Sequence, residues 1–312
     1  MAKKFINNTH IAGSLYQHDL TLKVSGENSK NPGTQFISGS IEIATDDAGI
    51  NIVPIHFTYV TAVTSKGKAN DTFNTLKNII DGVYKSVMTD GASNATKFRI
   101  DSAIGLNEFY SDRSGKEELV SVKRNEGGFV HVDNSLSEAE NVRNTFDCDI
   151  IITNVIHQDA DEEKKTPEKA IIKGAIFNFR GDLLPVEFSV LNPNAIAYFE
   201  DLGVSTAKPV FTRIKGRQIS ESITRTVTEE SAFGEPSIKE YKSTRKDFVV
   251  TWAAKEEYIW DDESTILASE LKEAMANREI ALAELKKRND EYKASQGKAP
   301  AAAAPAPGAF NF

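Results

Sequence analysis

Residues able to do chemistry are scattered through this 312-residue chain. It has no Walker-type phosphate loop, no GxGxxG turn, no GxSxG nucleophile elbow and no HExxH zinc helix. Gly115-Lys116 is followed by Glu117 and lacks the hydroxyl that would hold Mg²⁺. The five histidines, His10, His18, His56, His131 and His157, show no ligand spacing. Two carboxylate groups stand out, Asp147-Cys148-Asp149 and Asp159-Ala160-Asp161-Glu162-Glu163. Paired carboxylates can hold Mg²⁺ for phosphoryl chemistry. The second group runs into Lys164-Lys165 and Pro167, which describes a solvated loop. Cys148, between apolar neighbours, reads as a small buried residue. No catalytic residue, metal or cofactor is expected, and the chain is not expected to be an enzyme.

What remains is a combination of aromatics and bases on β-strands. Phe177 and Phe179 alternate against Ile172 and Ile176, and Arg180 follows. Arg213, Lys215, Arg217 and Arg225 recur at mostly even spacing, which puts several on one strand face. Tyr241, Arg245 and Lys246 follow on a partner strand. Residues 213–248 hold eight bases against six acids. In the N-terminal half the corresponding candidates are Tyr16, Phe36, Tyr59, Phe98, Arg99, Phe109, Tyr110, Lys123 and Arg124, with Phe36 and Phe57 favoured for a core. Such a face suits single-stranded nucleic acid: bases stack on rings at ~1–3 kcal/mol each while Lys and Arg follow the phosphates.

These residues need a scaffold, and composition supplies one. Hydrophobic residues make up 40% and charged residues 26%, which excludes wholesale disorder. One cysteine excludes a disulfide framework. The start lacks a signal-like apolar stretch, so a cytoplasmic location is expected. Residues 1–145 carry 15 bases and 17 acids, and residues 146–255 the same numbers. Most of the net charge of −8 comes from 256–263, which contributes −5. Net charge predicts no strong binding to duplex DNA, but it leaves room for a local basic groove.

The elements read as mainly β. A first block over 1–145 holds strands separated by turn residues, with one helix over Asp71–Val87, where Phe73, Leu76, Ile80, Val83 and Val87 keep helical spacing. A second block over 146–255 repeats the plan, with a short helix after Asn192-Pro193. Phe36–Ile41 aligns with Ile171–Ile176, and Val53–Phe57 with Leu184–Phe188, which points to an internal duplication. Strand, strand, strand, helix, strand, strand is the order of the OB-fold. Gly39 and Gly174 fall mid-strand, where a barrel bends or another backbone comes close. Two tandem OB-fold-like five-stranded barrels are therefore expected. Residues 256–296 add a long C-terminal helix over Asp261–Ala294, with Leu271, Met275, Leu282, Leu285 and Tyr292 on a stripe suited either to its own barrel or to a second copy. Residues 297–312 read as a disordered Ala/Pro tail ending in Phe310 and Phe312, a candidate partner-docking tip.

The duplicated barrel pattern, the Gly39–Thr45 strand, the 228–236 stretch and the tail together resemble phage-encoded OB-fold single-stranded-DNA-binding proteins. The resemblance implies single-stranded DNA as partner, a non-enzymatic role in DNA replication or recombination, and the host cytoplasm as location. It also implies a replication or recombination protein docking at the C-terminal tip, although this tip lacks the acids of bacterial-type tails. The rival reading is a virion or assembly protein making protein contacts only.

Overall fold

The computed structural model describes residues 5–296 apart from 28, 114, 162–165, 230–232, 234–236 and 264, with backbone alone over 221–229, 239, 241–245 and 296. The Ala/Pro tail with Phe310 and Phe312 lies outside the described residues, as does most of 228–236.

The β-branched and aromatic runs form β1 (Asn7–His18), β2 (Thr21–Val24), β3 (Gln35–Ala44), β4 (Ile52–Thr61), β5 (Lys97–Ser111), β6 (Glu118–Val132), β7 (Asn144–Gln158), β8 (Lys169–Phe177), β9 (Leu183–Val190), β10 (Val210–Glu229) and β11 (Ser237–Ala253). Helices are α1 (Asp71–Ile80), α2 (Val87–Asp90), α3 (Pro193–Asp201) and α4 (Ala268–Gln296).

Pairing closes the strands into two rings. The first runs β1-β3-β4-β6-β5 and returns to β1, the second β7-β8-β9-β11-β10 and returns to β7. In each ring the third and fifth strands pair in parallel, β4 with β6 and β9 with β11. A helix leads from the third strand to the fourth in both, through α1 and α3. This is OB-fold connectivity twice over. The rings fuse where Asn7–Ile11 of β1 pairs with Asn144–Cys148 of β7.

Two glycines permit closure. Gly39 has φ +127° at a register shift, and a Cβ there would lie 2.7 Å from the Asp19 carbonyl oxygen. A Cβ at Gly174 would collide with the Ile151 carbonyl oxygen beside the shift in the β7–β8 pair. Any larger residue would push the walls apart.

Alternation fills each ring. Ile11, Leu15, Ile41, Ile55 and Phe98 meet Phe73, Leu76 and Ile79 of α1 in the first core. Phe146, Ile150, Ile172, Phe188 and Ile214 meet Ile196 and Phe199 of α3 in the second. The helix expected over Asp71–Val87 is shorter than its spacing suggested. It stops at Ile80 because Gly82 takes φ +71°, and Ser86 caps a separate turn by accepting from the Thr89 amide. The C-terminal helix begins at Ala268 rather than Asp261. Asp261 has φ +56° and caps from outside, accepting from the Ala268 amide at 2.8 Å.

The last hairpin of each ring outgrows it. β5 pairs with β1 only over Lys97–Ser102, and the rest runs on with β6 alone. The projecting Ile104 and Leu106 enter the core of the second ring. Likewise β10 pairs with β7 only as far as Arg217. Just beyond, the buried Gln218 exchanges two hydrogen bonds with Asn125 of the first ring, at 2.8 and 3.0 Å. Each ring thus lends its final hairpin to the other. Removing one partner of a buried amide pair costs about 1–3 kcal/mol, whereas replacing both can be near neutral. Gln218→Leu should lose that much in urea unfolding, and Asn125→Leu added to it should restore part. A single variant as stable as wild type would show that water satisfies the junction.

Candidate nucleic-acid interface

A groove of about 670 Å³ runs across the outer face of β8 and β9, which alternation turns away from the second core. Lys169, Ile171 and Lys173 face it from β8, and Pro185 and Glu187 from β9. The projecting β5–β6 hairpin forms its opposite wall with Leu106, Glu108, Leu119, Ser121 and Lys123, and Arg278 of α4 joins it. A second hollow of about 250 Å³ lies between the two projecting hairpins, lined among others by His56, Val122, Arg124 and Ser220. Lys123, Lys246 and Asp247 line both, so the two form one path. Taken together the walls carry six bases, Lys123, Arg124, Lys169, Lys173, Lys246 and Arg278, against three acids, Glu108, Glu187 and Asp247.

The bases are set by their neighbours. Lys173 pairs with Glu187 at 2.6 Å, Lys169 lies 3.8 Å from Asp247, and Arg278 pairs with Glu108 at 2.5 Å. Asp247 also accepts from the Ser189 hydroxyl at 2.7 Å. Lys123 sits at the centre. Its ammonium lies 4.3 Å from the ring centres of both Phe188 and Phe248 and donates to the Glu187 carbonyl. Burial pushes its pKa down to about 8, against smaller upward pulls from Asp247, Cys148 and Glu187. The two ring faces offset part of that cost. His56 is pushed below its ordinary value by burial and then by the Arg124 charge, so it stands neutral at pH 7.

Of the residues expected from sequence, the groove brings together Lys123, Arg124 and Lys246. The others lie elsewhere. Phe177 corrects an expectation: it is 3% exposed, stacked on Phe5 at 4.3 Å outside the second ring and covered by Phe211 and Leu271. Ile176 points into the ring and Phe177 away from it, as strand alternation requires, but helix α4 roofs the outward side. Arg213 is held by Asp147 at 2.6 and 2.7 Å, and Lys215 lies over Trp252 with Asp147 at 3.7 Å. Arg217 donates to Asn144 and to the Glu140 carbonyl. These three line neither hollow. Phe179 is 87% exposed on the β8–β9 turn with Arg180 over its ring. Tyr59 packs on Phe36, which is half-buried rather than core, and Phe57 is buried as expected. Tyr16 borders a separate hollow near Asp46 and Gly49, and Arg99 is exposed on β5. Arg225 stands opposite Tyr241 and Glu221 opposite Arg245 in the β10–β11 register, but those side chains lie outside the described residues.

Lys169, Lys173, His56 and Arg278 escaped the sequence reading. The signal was present for two of them: Lys169 and Lys173 alternate with Ala170 and Ile172, both buried. Arg278 interrupts the apolar α4 stripe, and that position carries no sign of a groove. That stripe splits in the fold, with Leu271 packed on the Phe177 cluster while Met275 and Tyr292 are exposed.

Fold and groove define a tandem OB-fold protein with a basic inter-barrel path. The chain belongs to the YorF family, whose sequence model matches residues 6–288. No curated protein sequence matches it significantly. Among solved structures, a deletion variant of the single-stranded DNA binding protein from Thermus aquaticus is similar, with TM-score 0.46 and 9% identity over 85% of this chain and 100% of that one. A replication protein A heterotrimer bound to ssDNA aligns with TM-score 0.23 and 9% identity over 91% of this chain and 70% of that one. At such scores and identities neither likeness carries weight, and a functional reading has to come from the groove itself. No described helix is long and apolar enough to cross a membrane.

The environment of Lys123 has a measurable consequence. Below pH 8 its ammonium is charged in both folded and unfolded chains, and the burial cost is fully present. Between about 8 and the 10.5 of a free lysine the folded chain releases the proton and the unfolded chain keeps it. This contribution to stability therefore rises with pH, by at most ~1.4 kcal/mol per unit. Lys123→Met should gain stability relative to wild type at pH 7, and that advantage should shrink by pH 9.5 in urea titrations. A difference independent of pH would place the ammonium in solvent.

Proposed function

We propose that the chain is a non-catalytic single-stranded-DNA-binding protein that holds the strand along the inter-barrel path. The observation that carries this reading is the excess of three positive charges along one groove, in a chain whose net charge is −8. Bases require an apolar surface and phosphates require cations. Leu106, Leu119, Ile171 and Pro185 supply the first, and Lys123, Lys169, Lys173 and Lys246 the second. Contacts of this kind follow the backbone and are tolerant of sequence. A phosphate beside Lys123 stabilises the ammonium that burial disfavours, so binding and protonation of Lys123 favour each other. Phe109, 41% exposed on the outward face of the β5–β6 hairpin, shares that face with Val122 of the second hollow and offers a ring for stacking.

The resemblance to phage-encoded single-stranded-DNA-binding proteins extends the proposal to phage DNA replication or recombination in the host cytoplasm. A further replication protein at Phe310 and Phe312, and self-association through the exposed Met275 and Tyr292, belong to the same proposal.

Lys169→Ala, Lys173→Ala and Lys246→Ala together should weaken binding of a mixed-sequence oligonucleotide. They should also flatten its dependence on log salt by about 2, at ~0.7 per phosphate contact. Lys272→Ala with Lys287→Ala, on the exposed side of α4, should change neither. Wild-type protein that binds no oligonucleotide at low salt would leave the assembly role instead.

A further inference from the structure

Arg278 is the α4 residue that lines the groove. Further along α4, on the same side, Lys286, Asn289 and Lys293 reach the tip of the β5–β6 hairpin. Glu117 accepts from Lys286, from Asn289 at 2.8 Å and from Lys293 at 2.9 Å. Asp112 lies 3.5 Å from Lys293, and Lys286 also stands over the Tyr110 ring at 5.2 Å. Lys286 is eight residues beyond Arg278, roughly 12 Å along the helix at ~1.5 Å per residue. A strand leaving the groove past Arg278 meets this row within its next few phosphates.

Resting on the groove reading above, we propose that the hairpin tip is a built-in competitor: Glu117 occupies a phosphate-binding row on α4, and a bound strand displaces it to gain contacts with Lys286 and Lys293.

The chemistry of the two occupants matches. A carboxylate receiving three donors from one helix face uses the same donors that a phosphate oxygen would. Lys286, and then Lys293, hold the Glu117 carboxyl down to about 2, so it stays ionised at any working pH. The contact is also of a kind that can be exchanged. Lys286 and Lys293 are 38% and 46% exposed, and exposed ion pairs contribute little and are screened by salt. Further from the tip the hairpin is fixed differently, by the partly buried Arg278–Glu108 pair and by Ile104 in the second core. A hairpin anchored nearer its base and held at its tip by partly exposed ion pairs and the Asn289 amide can release the tip without unfolding. With Glu117 and Asp112 seated, the two lysines face three carboxylates, counting Asp290 at 2.7 Å from Lys286. Once the tip leaves, Asp290 alone remains, and the row becomes attractive to an anion.

The test is oligothymidylate binding to the full-length protein across a salt series. Glu117→Gln should bind about three- to tenfold more tightly at low salt, because the strand no longer has to displace a charged competitor. Asp112→Asn, which removes the charge 3.5 Å from Lys293, should give a smaller gain in the same direction. Adding Lys286→Ala and Lys293→Ala to Glu117→Gln should abolish the gain and lower the salt slope by about 1.4, at ~0.7 per contact. Unchanged or weaker binding by both Glu117→Gln and Asp112→Asn, with groove variants still impaired, would overturn the competitor and leave the groove standing. Full binding by the Lys169, Lys173 and Lys246 triple variant would instead remove the groove, and this inference with it.

Discussion

Two buried side-chain amides facing each other across the junction of the rings hold this molecule in its shape. Asn125 and Gln218 exchange hydrogen bonds across the contact between the rings, 93 residues apart in sequence. Around them Asn125 also donates to the Pro54 carbonyl, Asn144 to the Gln218 carbonyl, and Asn51 accepts from the Ser220 amide. An extended hairpin crossing a neighbouring barrel leaves its backbone groups without ladder partners, and buried groups must find some. Asparagine and glutamine provide both donor and acceptor in one planar group, which is why they collect here rather than apolar residues. On the other side Asn7 does the same, donating to the carbonyls of Ile104 and Phe177 and accepting from the Ile104 amide.

The groove is a consequence of that junction. Two OB barrels on a flexible linker would present separate faces. Here the crossed hairpins fix β5–β6 as a wall over β8 and β9, and the residues at the crossing, Lys123 and Lys246, become common to both hollows. Placing Lys123 between two phenylalanine rings costs stability, because its charge is partly stripped of water. A purely structural position would be filled better by methionine or leucine, which pack without that cost. Retaining an ammonium there is understandable if an anion arrives to complete its surroundings.

Much of the fold could be read from the sequence because its determinants are local. Period-two alternation, the turn residues, and helices lying between third and fourth strands announced two barrels. Gly39 and Gly174 marked the close approaches inside them. The site was less legible because its determinants are not local. Whether an outward strand residue faces solvent or a roof depends on what crosses over it, and neither α4 nor the partner hairpin announces its path. Phe177 and Arg213 therefore looked available, yet one lies under α4 and the other is neutralised by Asp147. Lys169 and Lys173, plain alternating lysines, gained meaning only when the β5–β6 hairpin was laid across them. The crossing is made by the excess length that β5–β6 and β10–β11 show in the fold, since a ring strand needs far fewer residues.

The two barrels share a plan but divide its use. In both, the second and third strands present an outward face. In the first ring that face carries Phe36 packed on Tyr59, with β2 extending β3 and the Tyr59 hydroxyl bonded to Ser25 at 3.1 Å. Its polar capacity is partly spent inside the chain. In the second ring the equivalent face carries Lys169, Lys173 and Glu187 and borders the larger hollow. The β5–β6 hairpin gives that face a second wall drawn from the first barrel, so neither ring alone contains the complete groove. Two barrels of one plan that exchange hairpins therefore form a composite path rather than two copies of one site. A strand lying in it would touch both barrels at once, and its affinity would depend on the junction amides as much as on the lysines it meets.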